Sequence, residues 1–533
     1  MRRKYQSILL AAFAFSFMAC EPEFENEVSN ATYSKGEADF TTYVAIGNSL
    51  TSGYMDGTMF RSGQQYSFPN LLAKQFSVVG GGAFTQPSFQ DDINDLGGLL
   101  VQGNVSAATR MVINMSTGSP ENLKGTPTIE VTKLQAKAYN NMGVPGAKSF
   151  HLLSEGYGSL ANLATGRANP YFVRHATAPN ATVMADAMSL NPTFFTNWIG
   201  SNDVLAYALS GGTGVNQAGN LNPATYGGND ITDPQVFASA YNTILNTLTS
   251  KGAKGVVATI PYVTSIPHFR VVPFNPLTAE SIGRGGNKNM SKEEAEKIGV
   301  ATINQLNSSL FGPVKQILTA IGQGSRIQLF TTDGANPVLI ADETLADVSS
   351  VLTSALISNG IPAQTAGAIG QVFGKARHAT SADLLVLGAS SAIGSTSALP
   401  SPFDKVGVTF PLEDKYVLIP SEQNDIKVAT DKFNDIIYSA AGAKNIAVAD
   451  MNSIMRYLVT GIKVEDGQVY YSNYFSAATI NKVMFSLDGV HPNPRGYALV
   501  ANEVIKVINH HYKSKLPLLV PGNYPGVTIK ASN

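Results

Sequence analysis

Five short apolar runs punctuate the chain. Tyr43-Val44-Ala45-Ile46 stops at Gly47. The others cover 134–140, 194–199 (stopping at Gly200), 255–260 (stopping at Pro261) and 445–449 (stopping at Asp450). Runs this short, bounded by turn residues, predict buried strands. Helical spacing lies between several of them. In 239–250, Ile244, Leu245 and Leu248 fall together, and 431–441 precedes the last strand. In 497–511, Val500, Val504, Val507 and Ile508 form one side. Strands alternating with helices predict a parallel α/β sheet. In such sheets ligands sit beyond the carboxyl ends of the strands. The loops after Ile46, Asn140, Ile199 and Ala449 therefore matter most.

Two stretches exceed a minimal α/β unit. Residues 80–133 are rich in Gly, Ser, Thr and Asn and read as a long loop system. Residues 268–420 read as an inserted subdomain or lid. Within it, Ser291 and Glu294 predict a capping box before a helix running toward Leu318, interrupted near Pro313. A second helical pattern covers 342–358. The 533 residues would allow three or four domains at about 150 residues each. The pattern instead predicts one α/β domain over 41–515 with insertions at about 80–133 and 268–420, and a tail at 516–533.

Composition narrows the function. Lys plus Arg number 37 and Asp plus Glu 38, a net charge of -1. That excludes a broad electrostatic grip on nucleic acid. The hydrophobic share of 44% supports a sizeable core and argues against wholesale disorder. With one cysteine, Cys20, neither an intramolecular disulfide nor a multi-cysteine metal site can form.

The position of Cys20 has its own meaning. Arg2, Arg3 and Lys4 precede an apolar stretch over 8–19 that is too short to span a bilayer comfortably. Cys20 follows directly, at the cleavage point of a secretory signal over 1–19. The segment resembles a bacterial lipoprotein signal. That resemblance implies that Cys20 is lipidated, anchoring the chain in the cell envelope as an outer-membrane lipoprotein on the periplasmic or the surface-exposed face. Residues 20–40, with Glu21, Glu23, Glu25 and Glu27, read as a solvated tether.

Four segments carry candidate chemistry. Gly47-Asn48-Ser49-Leu50-Thr51 places a serine directly after the first strand, where a nucleophile can project into the crevice; the plainer alternative is a helix N-cap. Asp488-Gly489-Val490-His491-Pro492 places an acid three residues before a histidine, so that the carboxylate can orient an imidazole serving as base. His491 alone of the seven histidines has this spacing. His510 and His511 read as helix-end residues, and His151, His175, His268 and His378 as surface or loop residues. Gly200-Ser201-Asn202-Asp203 offers the Asn202 amide as an oxyanion donor, with Asp203 capping the next helix as the alternative. Asn141-Met142-Gly143-Val144-Pro145-Gly146 offers a glycine N–H for close approach, or an ordinary Gly-Pro turn.

Taken in order, Ser49, the 141–146 glycines, Asn202 and Asp488/His491 resemble the SGNH hydrolase superfamily, the GDSL-type esterases and lipases. The resemblance covers about 41–267 and 420–512, and rests most on Gly-x-Asn-Asp at 200–203 and Asp-x-x-His-Pro at 488–492. It implies a three-layer α/β/α flavodoxin-like sandwich with a mostly five-stranded parallel sheet plus large insertions. It implies Ser49 as nucleophile, His491 as base and Asp488 as its orienting acid. The oxyanion hole would comprise the Ser49 and Gly146 N–H groups with the Asn202 amide. Gly143 competes with Gly146, which is preferred because it falls five residues after Asn141. The first block departs from the usual Gly-Asp-Ser-Leu, since Asn48 replaces the aspartate, but Asn can still accept a backbone hydrogen bond there. Neither a metal nor a cofactor is required.

The function expected is hydrolysis of carboxylic esters, of lipids or of acylated carbohydrates, through an acyl-enzyme. The alternative is a surface binding lipoprotein on the same scaffold. No Gly-x-Ser-x-Gly elbow or His-Glu-x-x-His motif offers a competing chemistry.

Overall fold

A computed structural model describes residues 32–114, 116, 119–464, 467–472 and 482–530. The signal segment, Cys20 and the acidic stretch after it lie outside the described residues. Five parallel strands form the central sheet: β1 (Tyr43–Gly47), β2 (Asn141–Gly143), β3 (Phe194–Trp198), β4 (Lys254–Ala258) and β5 (Ala447–Ala449). Their spatial order is β2-β1-β3-β4-β5, every neighbouring pair parallel. This is the flavodoxin-like order.

Alternate residues of each strand feed opposite layers, as the pleat requires. Val44, Ile46, Phe195 and Val257 join one core with Tyr241, Ile244, Phe433 and Ile437. Tyr43, Ala45, Phe194 and Val256 join the other with Phe68, Leu72, Phe76, Val504 and Ile508. The helices concerned are, in chain order, α1 (Ser49–Ser52), a single turn after β1; α2 (Phe68–Ser77); α3 (Asn202–Leu209); α4 (Pro234–Thr249); α5 (Pro420–Ala443); α6 (Met451–Thr460); and α7 (Pro494–His511). Thus α4 and α5 cover one face and α2 and α7 the other, a three-layer α/β/α sandwich. All five residues of β1 and of β3 are buried; β1 is apolar throughout, whereas β3 carries Thr196 and Asn197 into the interior.

The second strand is not where its apolar run lay. Residues 134–140 are irregular: the Gln135 and Lys137 N–H groups donate to the Arg174 and His175 carbonyls, and Ala136 stands at φ 46. The strand is the three residues that follow, Asn141–Gly143. At three residues, Asn-Met-Gly, it is too short to stand out as an apolar run. Residues 268–420 carry a separate core built on Ile303, Phe311, Leu318, Leu339, Phe373 and Leu412. The helix expected there runs Lys292–Leu306, passes through a π turn at Asn307–Phe311, and resumes as Gly312–Ala320. The wide turn sits where Pro313 removes a ladder donor. The Glu294 N–H donates to Ser291 Oγ at its start. Of 342–358, only Ser349–Ser358 is helical.

Two segments bordering the core are ordered. Ala38 and Phe40, within the stretch read as a tether, are buried, and Phe40 stacks on Phe76. In the tail, Leu516 and Leu519 are buried, and Ile529–Lys530 pairs with Met111–Asn114 of the first insertion. Among the described residues, no helix is long and apolar enough to cross a membrane.

Candidate active site

Because the sheet is parallel, the loops after the strands all open on one edge. Gly47 pairs with Gly143 on one side and Trp198 on the other, which sets three of the four sequence segments side by side. The fourth arrives from the far end of the chain, at the start of α7.

Ser49 is the first residue of α1. Asn48 caps that turn, its Oδ1 accepting the Leu50 N–H at 3.0 Å. Gly53 closes it in left-handed backbone, φ 87. The turn holds Ser49 Oγ toward the crevice, 2.8 Å from His491 Nε2.

The His491 loop is a tight turn organised by one carboxylate. Asp488 Oδ1 accepts the N–H groups of Val490 (2.8 Å) and His491 (2.9 Å) and the Ser486 hydroxyl (3.0 Å). Gly489 takes the left-handed conformation that the turn needs, φ 71. Asp488 Oδ2 then faces His491 Nδ1 at 2.9 Å and accepts the Gly57 N–H at 3.1 Å. An ionised carboxylate only accepts, so Nδ1 carries the proton and Nε2 is left to accept the Ser49 hydroxyl. Burial would raise the Asp488 pKa. The facing imidazole and the hydrogen bonds from His491 and Val490 outweigh it and hold the group down at about 2.

The oxyanion candidates divide clearly. The Gly143 N–H already donates to Asn141 Oδ1 at 3.0 Å, and a Cβ there would meet the Ser52 nitrogen at 2.4 Å. Gly143 therefore serves close packing of β2 against α1. Gly146, at φ 81, borders the hollow that contains Ser49, Asn202 and His491. Asn202 opens α3 and donates one amide proton to the Ala147 carbonyl at 3.0 Å. That bond aims the amide and leaves its second proton for a ligand. Each such oxyanion donor is worth roughly a hundred- to a thousandfold in rate.

Asp203 does not cap α3. Its carboxylate reaches across to the Ser149 N–H (2.9 Å) and Ser149 Oγ (2.8 Å). This buried pair ties the loop that carries Gly146 to the helix that carries Asn202. A turn reading sees only local partners and could not find it.

Other surroundings were also invisible in sequence. The Tyr54 ring lies 4.7 Å from the His491 ring. His268, read as a surface or loop residue, is half-buried and borders the hollow, and its N–H donates to the Gly489 carbonyl at 2.9 Å. Burial lowers its pKa, against a smaller upward pull from Asp488. His175 and His378, also read as surface or loop residues, are buried.

Asp56 supports the His491 turn from behind. Its Oδ1 accepts the Leu487 N–H at 2.9 Å, and its own N–H donates to Ser486 Oγ at 3.0 Å. Burial and the neighbouring Asp488 charge push its carboxyl up to about 7, although the Leu487 N–H and Arg110 pull the other way. Between the ordinary value of 3.8 and about 7 the folded protein therefore binds more protons at this site than the unfolded chain. The stability contributed by protonated Asp56 is complete below the lower value and is lost as pH rises through the upper one. Asp56→Asn keeps the acceptor for Leu487 and removes the titration. The variant is expected to lose part of the decline in melting temperature between pH 4 and 7. Equal slopes for the two proteins would refute that assignment.

Among the described residues, one acidic group has the spacing to hold a metal ion. Carboxylate oxygens of Glu343, Asp414 and Glu422 lie within 4.8 Å of one another, away from the crevice. Burial and mutual repulsion raise Asp414 to about 6 and Glu422 to about 8.

No family model, curated protein or solved structure matches the chain.

Proposed function

We propose that the protein is a serine esterase of the SGNH type, with Ser49 as nucleophile, His491 as base and Asp488 as its orienting acid. The observation that carries this reading is the unbroken hydrogen-bond chain from Ser49 Oγ through both nitrogens of His491 to Asp488, at 2.8 and 2.9 Å. Ser49 Oγ attacks the ester carbonyl carbon while its proton passes to His491 Nε2. The carbonyl oxygen becomes an oxyanion, received by the Ser49 and Gly146 N–H groups and the free Asn202 amide proton. As the tetrahedral species collapses, the bond to the alcohol oxygen breaks and Nε2 returns the proton to it. Water, deprotonated by the same nitrogen, then attacks the acyl-enzyme and frees Ser49 and the carboxylic acid. The lipoprotein reading of Cys20 stands beside this as a proposal from sequence.

A fluorophosphonate probe tests the reading. It is expected to label the folded wild type covalently, with the mass increment on the peptide containing Ser49. A folded protein that stays unlabelled would favour the binding lipoprotein instead.

A further inference from the structure

A second cavity opens from the catalytic serine. It is separate in character from the open hollow that holds Gly146, Tyr54, Tyr171 and His268. Ser49, His491 and Asn202 border both. From them the second cavity runs inward between α3, α6 and the start of α7, past Trp198, Leu205, Ile266, Met455, Leu458 and Phe485. Its lining is overwhelmingly apolar away from Asn48, Ser49, Ser201, Asn202 and His491. Among these, Asn48 Nδ2 and Ser201 Oγ are buried without a hydrogen-bond partner among the described residues.

The slot is narrow. Its volume is about 100 Å³, against about 460 Å³ in the open hollow. Water itself would find no partners along such walls, and a sugar would bury hydroxyls without acceptors. A slim unbranched chain meets neither cost.

We infer that this slot receives the acyl chain of the substrate, making the protein selective for esters of unbranched fatty acids over acetate. The inference rests on the esterase reading. The carbonyl sits at Ser49, the chain runs inward beneath α6, and the alcohol part leaves through the hollow lined by Tyr54, Tyr171 and His268.

The wild type tests this in two ways. Each buried methylene is expected to raise kcat/KM about fourfold along a p-nitrophenyl ester series from acetate, levelling off when the slot is full. A matched series of n-alkyl acetates should show no such climb; a climb there instead would place the alcohol in the slot and overturn the inference. Ile454→Phe, at the half-buried edge of α6, should lower the octanoate-to-acetate ratio of kcat/KM at least tenfold.

The second measurement needs no turnover. Trp198 is the only tryptophan and lines the slot. Its fluorescence should be quenched saturably by 8-bromooctanoate and restored by excess octanoate. Labelling of Ser49 together with a flat acyl series and no saturable quenching would sink the slot and leave the esterase. Saturable quenching in a protein that neither labels nor hydrolyses any ester would sink the esterase and leave a fatty-acid binding site.

Discussion

Ser49→Ala is expected to lower ester hydrolysis by about 10⁶-fold in kcat, to the level that binding and oxyanion stabilisation alone support. The hydroxyl is the one group in the crevice that has both a base at hydrogen-bond distance and an attached orienting acid. Without it, no acyl-enzyme can form and the fluorophosphonate has no attachment point. The substitution should leave the fold intact. The Ser49 side chain bonds only to His491, while its backbone carbonyl still accepts from Ser52 Oγ and the Tyr54 N–H. Losing one hydrogen bond at this buried position costs about 1 kcal/mol. The check is a rate measurement beside a melting curve. A variant that melts close to the parent and retains more than a percent of its activity would remove Ser49 from the mechanism.

Asp488→Asn is expected to cost about 10⁴ in kcat, because the imidazole is then held in the wrong tautomer. The native carboxylate receives five donors: the N–H groups of Val490, His491 and Gly57, the Ser486 hydroxyl and His491 Nδ1–H. An amide offers one accepting oxygen. If that oxygen stays with the Val490 and His491 N–H groups, which shape the turn, the NH₂ faces His491 Nδ1. That nitrogen must then accept, the proton moves to Nε2, and Nε2 can no longer take the proton of Ser49. The same NH₂ also confronts the Gly57 N–H, and an unmatched buried donor costs about 1–3 kcal/mol. The variant should therefore melt earlier as well as react slowly. The pH dependence separates the two effects. Asp488 is held down at about 2, so the stability its charge contributes is present above the ordinary value of 3.8 and is lost as pH falls through about 2. The asparagine variant lacks that acid loss. Wild-type turnover in a well-folded Asp488→Asn protein would show that the carboxylate does not orient the base.

The site's residue types were legible because each sits in a local motif with its own turn chemistry. Asp-x-x-His at 488–491 encodes the Asx turn seen at Asp488, and Asn48 caps α1. The supports were not legible. Asp56 meets Leu487 across 431 positions, and Asp203 meets Ser149 across 54. Neither pair has a spacing that local backbone geometry dictates. Spacing from Asn141 favoured Gly146 over Gly143, and the structure adds that the Gly143 N–H is already engaged by Asn141 Oδ1.

The sequence by itself determined the parallel α/β architecture and the candidate residues at the strand ends. Strands buried on both faces read as short, mainly apolar runs, and the turns that follow them must carry residues able to adopt the needed backbone. Where that signal weakened, at the three-residue β2, the reading slipped to 134–140. Only the tertiary structure decided that Ser49 and His491, 442 positions apart, share a hydrogen bond. It alone formed the slot beneath α6, whose walls come from segments scattered between Asn48 and Val500. A cavity is a property of the space between packed elements, and no single stretch of chain encodes the room its neighbours leave.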